Sequence, residues 1–212
     1  MMYGIPFPGD YLIAPDGVVR DKRFLPSYEY RPSATALALR NAGGAASDNS
    51  VEIDAGAFSA TVTLSADRGF PGQELATALR IRLKPGWHIY GKPLPDNYRP
   101  TELVFESPIV DEQSIELPAA KPMLLKALGE TLPVYEGEVR ATGRLGIKWS
   151  PPMPAKFMEP FGKTIAPGPY KIAGTLRFQA CSETVCEPPQ AIRFELPLEL
   201  EAGVPPAPKK PG

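Results

Sequence analysis

From about residue 51 to 200 the sequence predicts a mainly β chain folded as a sandwich or barrel, with the sandwich favoured, and three observations carry the prediction. Apolar residues recur at every second position in several segments, the pattern of strands with one buried and one wet face. The 27 prolines and 19 glycines of the 212-residue chain cut these segments into short runs. No convincing helical spacing interrupts them, as expected for an all-β layer architecture.

The elements follow in order. In IPFPGDYLIAPDGVVRDKRF a short strand is predicted at Tyr11 to Ile13, a turn at Pro15-Asp16-Gly17 and a second strand from Val18, together a β-hairpin. Ser33 or Pro32 then opens a short Ala/Leu-rich helix reaching Arg40. Residues 1–40 are too few to bury a core alone. The segment NAGGAASDNS at 41–50 holds only small and polar residues and reads as a flexible linker between domains.

Beyond it, Phe58, Val62 and Leu64 share one parity, as do Leu75, Leu79, Ile81 and Leu83, and then Val139, Leu145, Ile147 and Trp149. Ile172, Leu176 and Phe178 alternate with Lys171 and Arg177; Ile192, Phe194, Leu196, Leu198 and Leu200 alternate with Arg193, Glu195 and Glu199. These last two segments are predicted to be antiparallel neighbours. Residues 151–169 carry too many prolines for ladder hydrogen bonds and are expected as a surface loop, and 201–212 as a Pro/Lys-rich tail.

Composition removes several functions. With 23 basic and 24 acidic residues and a net charge of -1, the chain lacks the footprint of a nucleic-acid binder. No run approaches the ~18 apolar residues of a membrane span, so no membrane insertion is expected. The opening MMYGIPFPGD has no basic segment followed by an apolar one, so no export signal is read there; either the protein stays inside or its true start lies upstream. No Ser/His/Asp set, phosphate-cradling loop or paired-carboxylate motif stands out.

The chemistry concentrates in FQACSETVCEPP, which contains both cysteines of the chain, Cys181 and Cys186, with four residues between them. A zinc site needs further ligands, and only His88 and distant carboxylates are offered; no metal or organic cofactor is expected. A structural staple closing so short a loop stabilises by only about 2 kcal/mol on the chain-entropy estimate. A reversible dithiol/disulfide pair suits the same loop, although Glu183 and Glu187 tend to raise a thiol pKa. On residues alone, staple and redox pair stand level. His88, the one histidine, reads first as a structural side chain beside Trp87, and Trp87 and Trp149 as core. Tyr135 either anchors a turn at Glu136-Gly137 or covers the sulfurs.

Three segments, FQACSETVCEPPQAIRFELPL, LKPGWHIYGKPLPDN and LPVYEGEVRATGRLGI, resemble in order and spacing the N-terminal domain family of the protein-disulfide reductase DsbD, over roughly residues 55–200. The resemblance implies an immunoglobulin-like sandwich with its cysteine pair at one end under a mobile cap loop. It makes Cys181 and Cys186 the redox couple, with Cys186 the attacking and Cys181 the resolving sulfur. It places Leu132, Val134 and Tyr135 in the cap, flanked by Glu130 and Glu136, and His88 and Tyr90 at aromatic positions near the pair.

The same resemblance implies thioredoxin-like redox partners, a separate membrane electron donor, a role such as cytochrome c biogenesis, and a periplasmic or other extracytoplasmic location. The spacing of the cysteines is one residue shorter than in the best-known members. YGIPFPGDYLIAPDGVV in turn resembles the strand after the cis-proline of a thioredoxin-like or peroxiredoxin-like domain, with Pro8 at the proline position, which makes residues 1–40 the end of such a domain. No cysteine lies in that zone, so a peroxidase reading has no nucleophile here. The expectation is a thiol:disulfide interchange module; the alternative is a non-catalytic sandwich with a structural disulfide.

Overall fold

The computed structural model describes residues 9–24, 31–32, 49–125, 129–148 and 165–202. Among them every regular element is a strand, and no helix is long and apolar enough to cross a membrane. The first strands form the predicted hairpin, β1 (Gly9–Ile13) against β2 (Val19–Phe24). Its turn is held as the sequence suggests: the Val18 amide donates to the Asp16 carboxylate, and Gly17 takes a positive φ of 80° that side chains with a Cβ resist.

Pro32 does not open a helix. It lies extended in β3 (Arg31–Pro32), which runs parallel to the start of β7 (Gln73–Leu83); the rest of the expected helix, residues 33–40, lies outside the described residues, as do Pro8, Trp149 and most of the proline-rich loop. At the far end of the expected linker, Asn49 is already buried, donating from its carboxamide to the carbonyls of Ala66 and Pro197 at 2.9 and 2.8 Å.

The main body is the expected immunoglobulin-like sandwich. One sheet has the order β10 (Val110–Glu116), β13 (Glu138–Ile147), β7, β5 (Phe58–Leu64), β4 (Ser50–Asp54), all antiparallel. The facing sheet runs β6 (Arg68–Gly69), β16 (Gln190–Leu200), β14 (Gly168–Phe178), β9 (Glu102–Glu106). The two strands predicted to flank the cysteines are antiparallel neighbours along their whole length, from Gly168 opposite Leu200 to Phe178 opposite Gln190.

Period two decides what is inside. Phe58, Val62, Leu79, Ile81, Leu145 and Ile147 from the first sheet meet Ile172, Leu176, Phe178, Leu196 and Leu198 from the second in one cluster. An edge-to-face aromatic pair ties the layers, Phe58 on Phe178 at 4.7 Å, and within the second sheet Phe105 packs edge-on to Phe194 at 5.9 Å. Gly174 interrupts the apolar parity of β14 for a steric reason: a Cβ there would lie 2.3 Å from the ring of Phe194, which fills the space instead.

A third, smaller sheet was not anticipated as a unit. It has the order β11 (Lys121–Leu125), β12 (Glu130–Glu136), β8 (His88–Tyr90), β15 (Ala180–Cys181) and carries the cysteine end of the fold.

Candidate redox-active site

Strand β8 organises the site from the middle of this sheet. On one side Tyr90 stands opposite Val134 and His88 opposite Glu136; on the other, Ala180 stands opposite Ile89 and Cys181 opposite His88. Alternation then sorts the side chains onto two faces. Ile89, Tyr135 and Ala180 join the main core, whereas Tyr90, Leu125, Leu132, Val134 and Cys181 form a separate apolar cluster with Leu94, Tyr98 and Met123 at its margin.

Cys181 and Cys186 are joined as a disulfide, their Cα atoms 4.1 Å apart. The residues between them close a tight turn: the Ser182 amide donates to the Val185 carbonyl at 2.7 Å, and the amides of Thr184 and Val185 donate to the Ser182 hydroxyl. Behind the turn the Glu187 amide donates to the Ala180 carbonyl at 2.9 Å. The two sulfurs end in different environments. Cys181 is 1% exposed within its apolar cluster, while Cys186 is exposed to solvent.

Tyr90 reaches both. Its hydroxyl lies 3.1 Å from Cys181 Sγ and 3.9 Å from Cys186 Sγ, although the ring is completely buried. Burial, followed by the nearby Tyr98 and Glu130, holds the Tyr90 phenol above its ordinary pKa, so it keeps its proton and is available as a donor to a thiolate. The Tyr90 ring packs edge-on to His88 at 5.9 Å and tilts against Tyr98 at 5.2 Å, and the Tyr98 hydroxyl donates to Glu130 at 3.1 Å. Beside the disulfide a cleft opens, lined among others by His88, Met123, Leu125, Glu136 and Glu183.

The residues singled out in the sequence divide accordingly. Leu132, Val134, His88 and Tyr90 share the sulfur-bearing face. Tyr135 does not: one position out of step with Leu132 and Val134, it turns to the opposite face, lies against Gly91 and donates its hydroxyl to the Pro118 carbonyl at 2.7 Å. Glu130 and Glu136 flank the site from the two ends of β12. Met123, Leu125, Leu94 and Tyr98 were not singled out. The same-parity pair Met123 and Leu125 was the available signal, hidden by the short, proline-interrupted strand that carries it.

The sequence profile described as thiol:disulfide interchange protein DsbD, N-terminal, matches residues 60–198. The chain belongs to this family. That span includes the whole small sheet and both cysteines. Among solved structures the chain is similar to the N-terminal periplasmic domain of ScsB from Proteus mirabilis, with 15% identity and a TM-score of 0.49, covering 72% of this chain and 52% of that one. It is also similar to the reduced Neisseria meningitidis DsbD N-terminal domain, with 20% identity and a TM-score of 0.35, covering 68% of this chain and 86% of that one. The chain thus spans about half the length of the ScsB domain. No curated protein matches it.

Proposed function

We propose that this DsbD N-terminal-type module relays electrons between thioredoxin-like proteins in an extracytoplasmic compartment, with Cys186 as the sulfur that partners meet and Cys181 as the resolving sulfur. The asymmetry of exposure carries the reading: Cys186 is an exposed residue, whereas Cys181 is 1% exposed, its Sγ 3.1 Å from the Tyr90 hydroxyl. In the reducing direction the Cys186 thiolate attacks a client disulfide and one client thiolate leaves. Cys181 then attacks Cys186 Sγ, the protein disulfide re-forms, and the second client thiolate departs with the electron pair. A dithiol donor, membrane-bound or carried by a redoxin domain that ends in residues 1–40, reverses both steps by attacking Cys186 first. Residues 1–40 fit the end of such a redoxin, which on one chain would hold donor and acceptor at high effective concentration.

Equilibration with dithiothreitol or glutathione buffers tests the relay. The pair is expected to titrate above about -300 mV, within reach of thioredoxin-like partners. A midpoint well below that value identifies a structural staple and ends the proposal.

Tyr90 has a defined part in this scheme: its O–H stabilises the Cys181 thiolate when the disulfide opens. Removing that donor with Tyr90→Phe is expected to raise the Cys181 thiol pKa by about one to two units, the equivalent of the ~1.5–3 kcal/mol that one hydrogen bond to a charged group is worth. Ultraviolet titration of the thiolate in the Cys186→Ser background reads the shift, and an unchanged pKa removes Tyr90 from the mechanism.

A further inference from the structure

Cys181 poses a chemical problem that the relay alone does not solve. It must become a thiolate to resolve a mixed disulfide, yet it sits 1% exposed among apolar side chains, where burial favours the neutral thiol. Tyr90 can stabilise the thiolate but, as a protonated phenol, cannot accept the proton.

His88 occupies the position that can. The strand register sets Glu136, His88 and Cys181 directly across from one another on three adjacent strands, so the three side chains stand in a row on one face. Residues paired in this way have Cβ atoms about 4.5–5.5 Å apart. All three line the cleft beside the disulfide. His88 is 5% exposed, and its Nε2 is buried without a hydrogen-bond partner among the described residues. An orphaned ring nitrogen in a native interior is costly and calls for a role.

We infer that His88 is the proton acceptor for Cys181, with Glu136 stabilising the imidazolium. The inference rests on the relay reading above. When Cys181 attacks Cys186 Sγ, its proton passes to His88 Nε2; the Cys181–Cys186 bond forms, the bond from Cys186 to the client sulfur breaks, and the client thiolate leaves with the electron pair. In the opposite direction the imidazolium returns the proton to the departing Cys181 thiolate. Burial lowers the pKa of His88 and Glu136 partly opposes this, so the ring is neutral, and able to accept, at neutral pH. The ionisable groups around it are Glu136 from β12, Cys181 from β15, Tyr90 on its own strand, and Glu183 and Cys186 from the cysteine turn.

The symmetrical disulfide of nitrothiobenzoate separates the steps, because reduced protein releases one coloured thiolate when Cys186 attacks and a second when Cys181 resolves. In stopped flow the wild-type second phase is expected to be level from about pH 6.5 to 8, where neutral His88 and protonated Cys181 coexist. In His88→Gln the first phase is expected to be unchanged. Its second phase is expected to be slower by about 10²-fold at the acid end and to climb roughly tenfold per pH unit, as the free thiolate fraction does. A variant second phase with the wild-type rate and plateau overturns the role of His88. The wild-type profile tests it without any variant: a second phase climbing tenfold per unit overturns it equally. Wild-type protein that gives no second phase at all overturns the relay instead, which keeps the two failures distinguishable.

Discussion

Cys181→Ser, reduced and mixed with a thioredoxin-like partner whose second cysteine is replaced by serine and whose remaining cysteine carries a nitrothiobenzoate leaving group, is expected to accumulate as a mixed disulfide through Cys186 as the nitrothiobenzoate thiolate leaves, whereas Cys186→Ser is expected to accumulate none. The expectation follows from reach. Exchange requires near-linear approach of a thiolate to a sulfur, which exposed Cys186 permits and Cys181, 1% exposed under Tyr90 and the Leu125–Leu132–Val134 cluster, does not. With the resolving sulfur gone from this protein and the second cysteine gone from the partner, neither side of the complex has an intramolecular exit, so trapping approaches one complex per protein. Non-reducing electrophoresis and intact mass measure it. Equal trapping by both variants would show that the two sulfurs are equally open, and the order of attack argued above would fail.

Phe178→Ala is expected to lower unfolding stability by about 3–5 kcal/mol, the range for removing a large aromatic from a core that cannot collapse around the gap. Phe178 is fully buried, contacts Phe58 edge-on across the sandwich, and ends the strand that leads directly into Cys181. Urea unfolding of the oxidised protein, read as a shift in midpoint at constant slope, gives the value. For comparison, opening the disulfide is expected to cost only about 2 kcal/mol because the loop it closes is so short. If loss of the disulfide proved the larger of the two, the bond would be holding the fold together and the staple reading would regain force.

The strands were legible in the sequence because burial of one face leaves a period-two record. Phe58, Val62, Leu79, Ile81, Ile172, Leu176, Leu196 and Leu198 all lie in the core on the parity that their spacing announced. The β14–β16 pairing was equally readable from two matched alternating segments on either side of the cysteine segment. Gly174 broke the pattern without warning, since its reason, the ring of Phe194, lies on the next strand.

The site was legible only in part. Clustered cysteines and the flanking motifs singled out Cys181 and Cys186, and Tyr90 and His88 as neighbours. Local sequence grouped Leu132, Val134 and Tyr135 as one cap, although the pleat sends Tyr135 to the core and the other two to the sulfurs.

From residues alone, then, come the β class, the paired strands around the cysteines and the identity of the two sulfurs, because alternation and covalent proximity are properties of a single stretch of chain. Which sulfur is open, which tyrosine touches it, and that Glu136, His88 and Cys181 form a row were decided by packing. Those relations depend on the register between strands far apart in sequence, and a one-residue slip of any of them would move every side chain concerned to the other face.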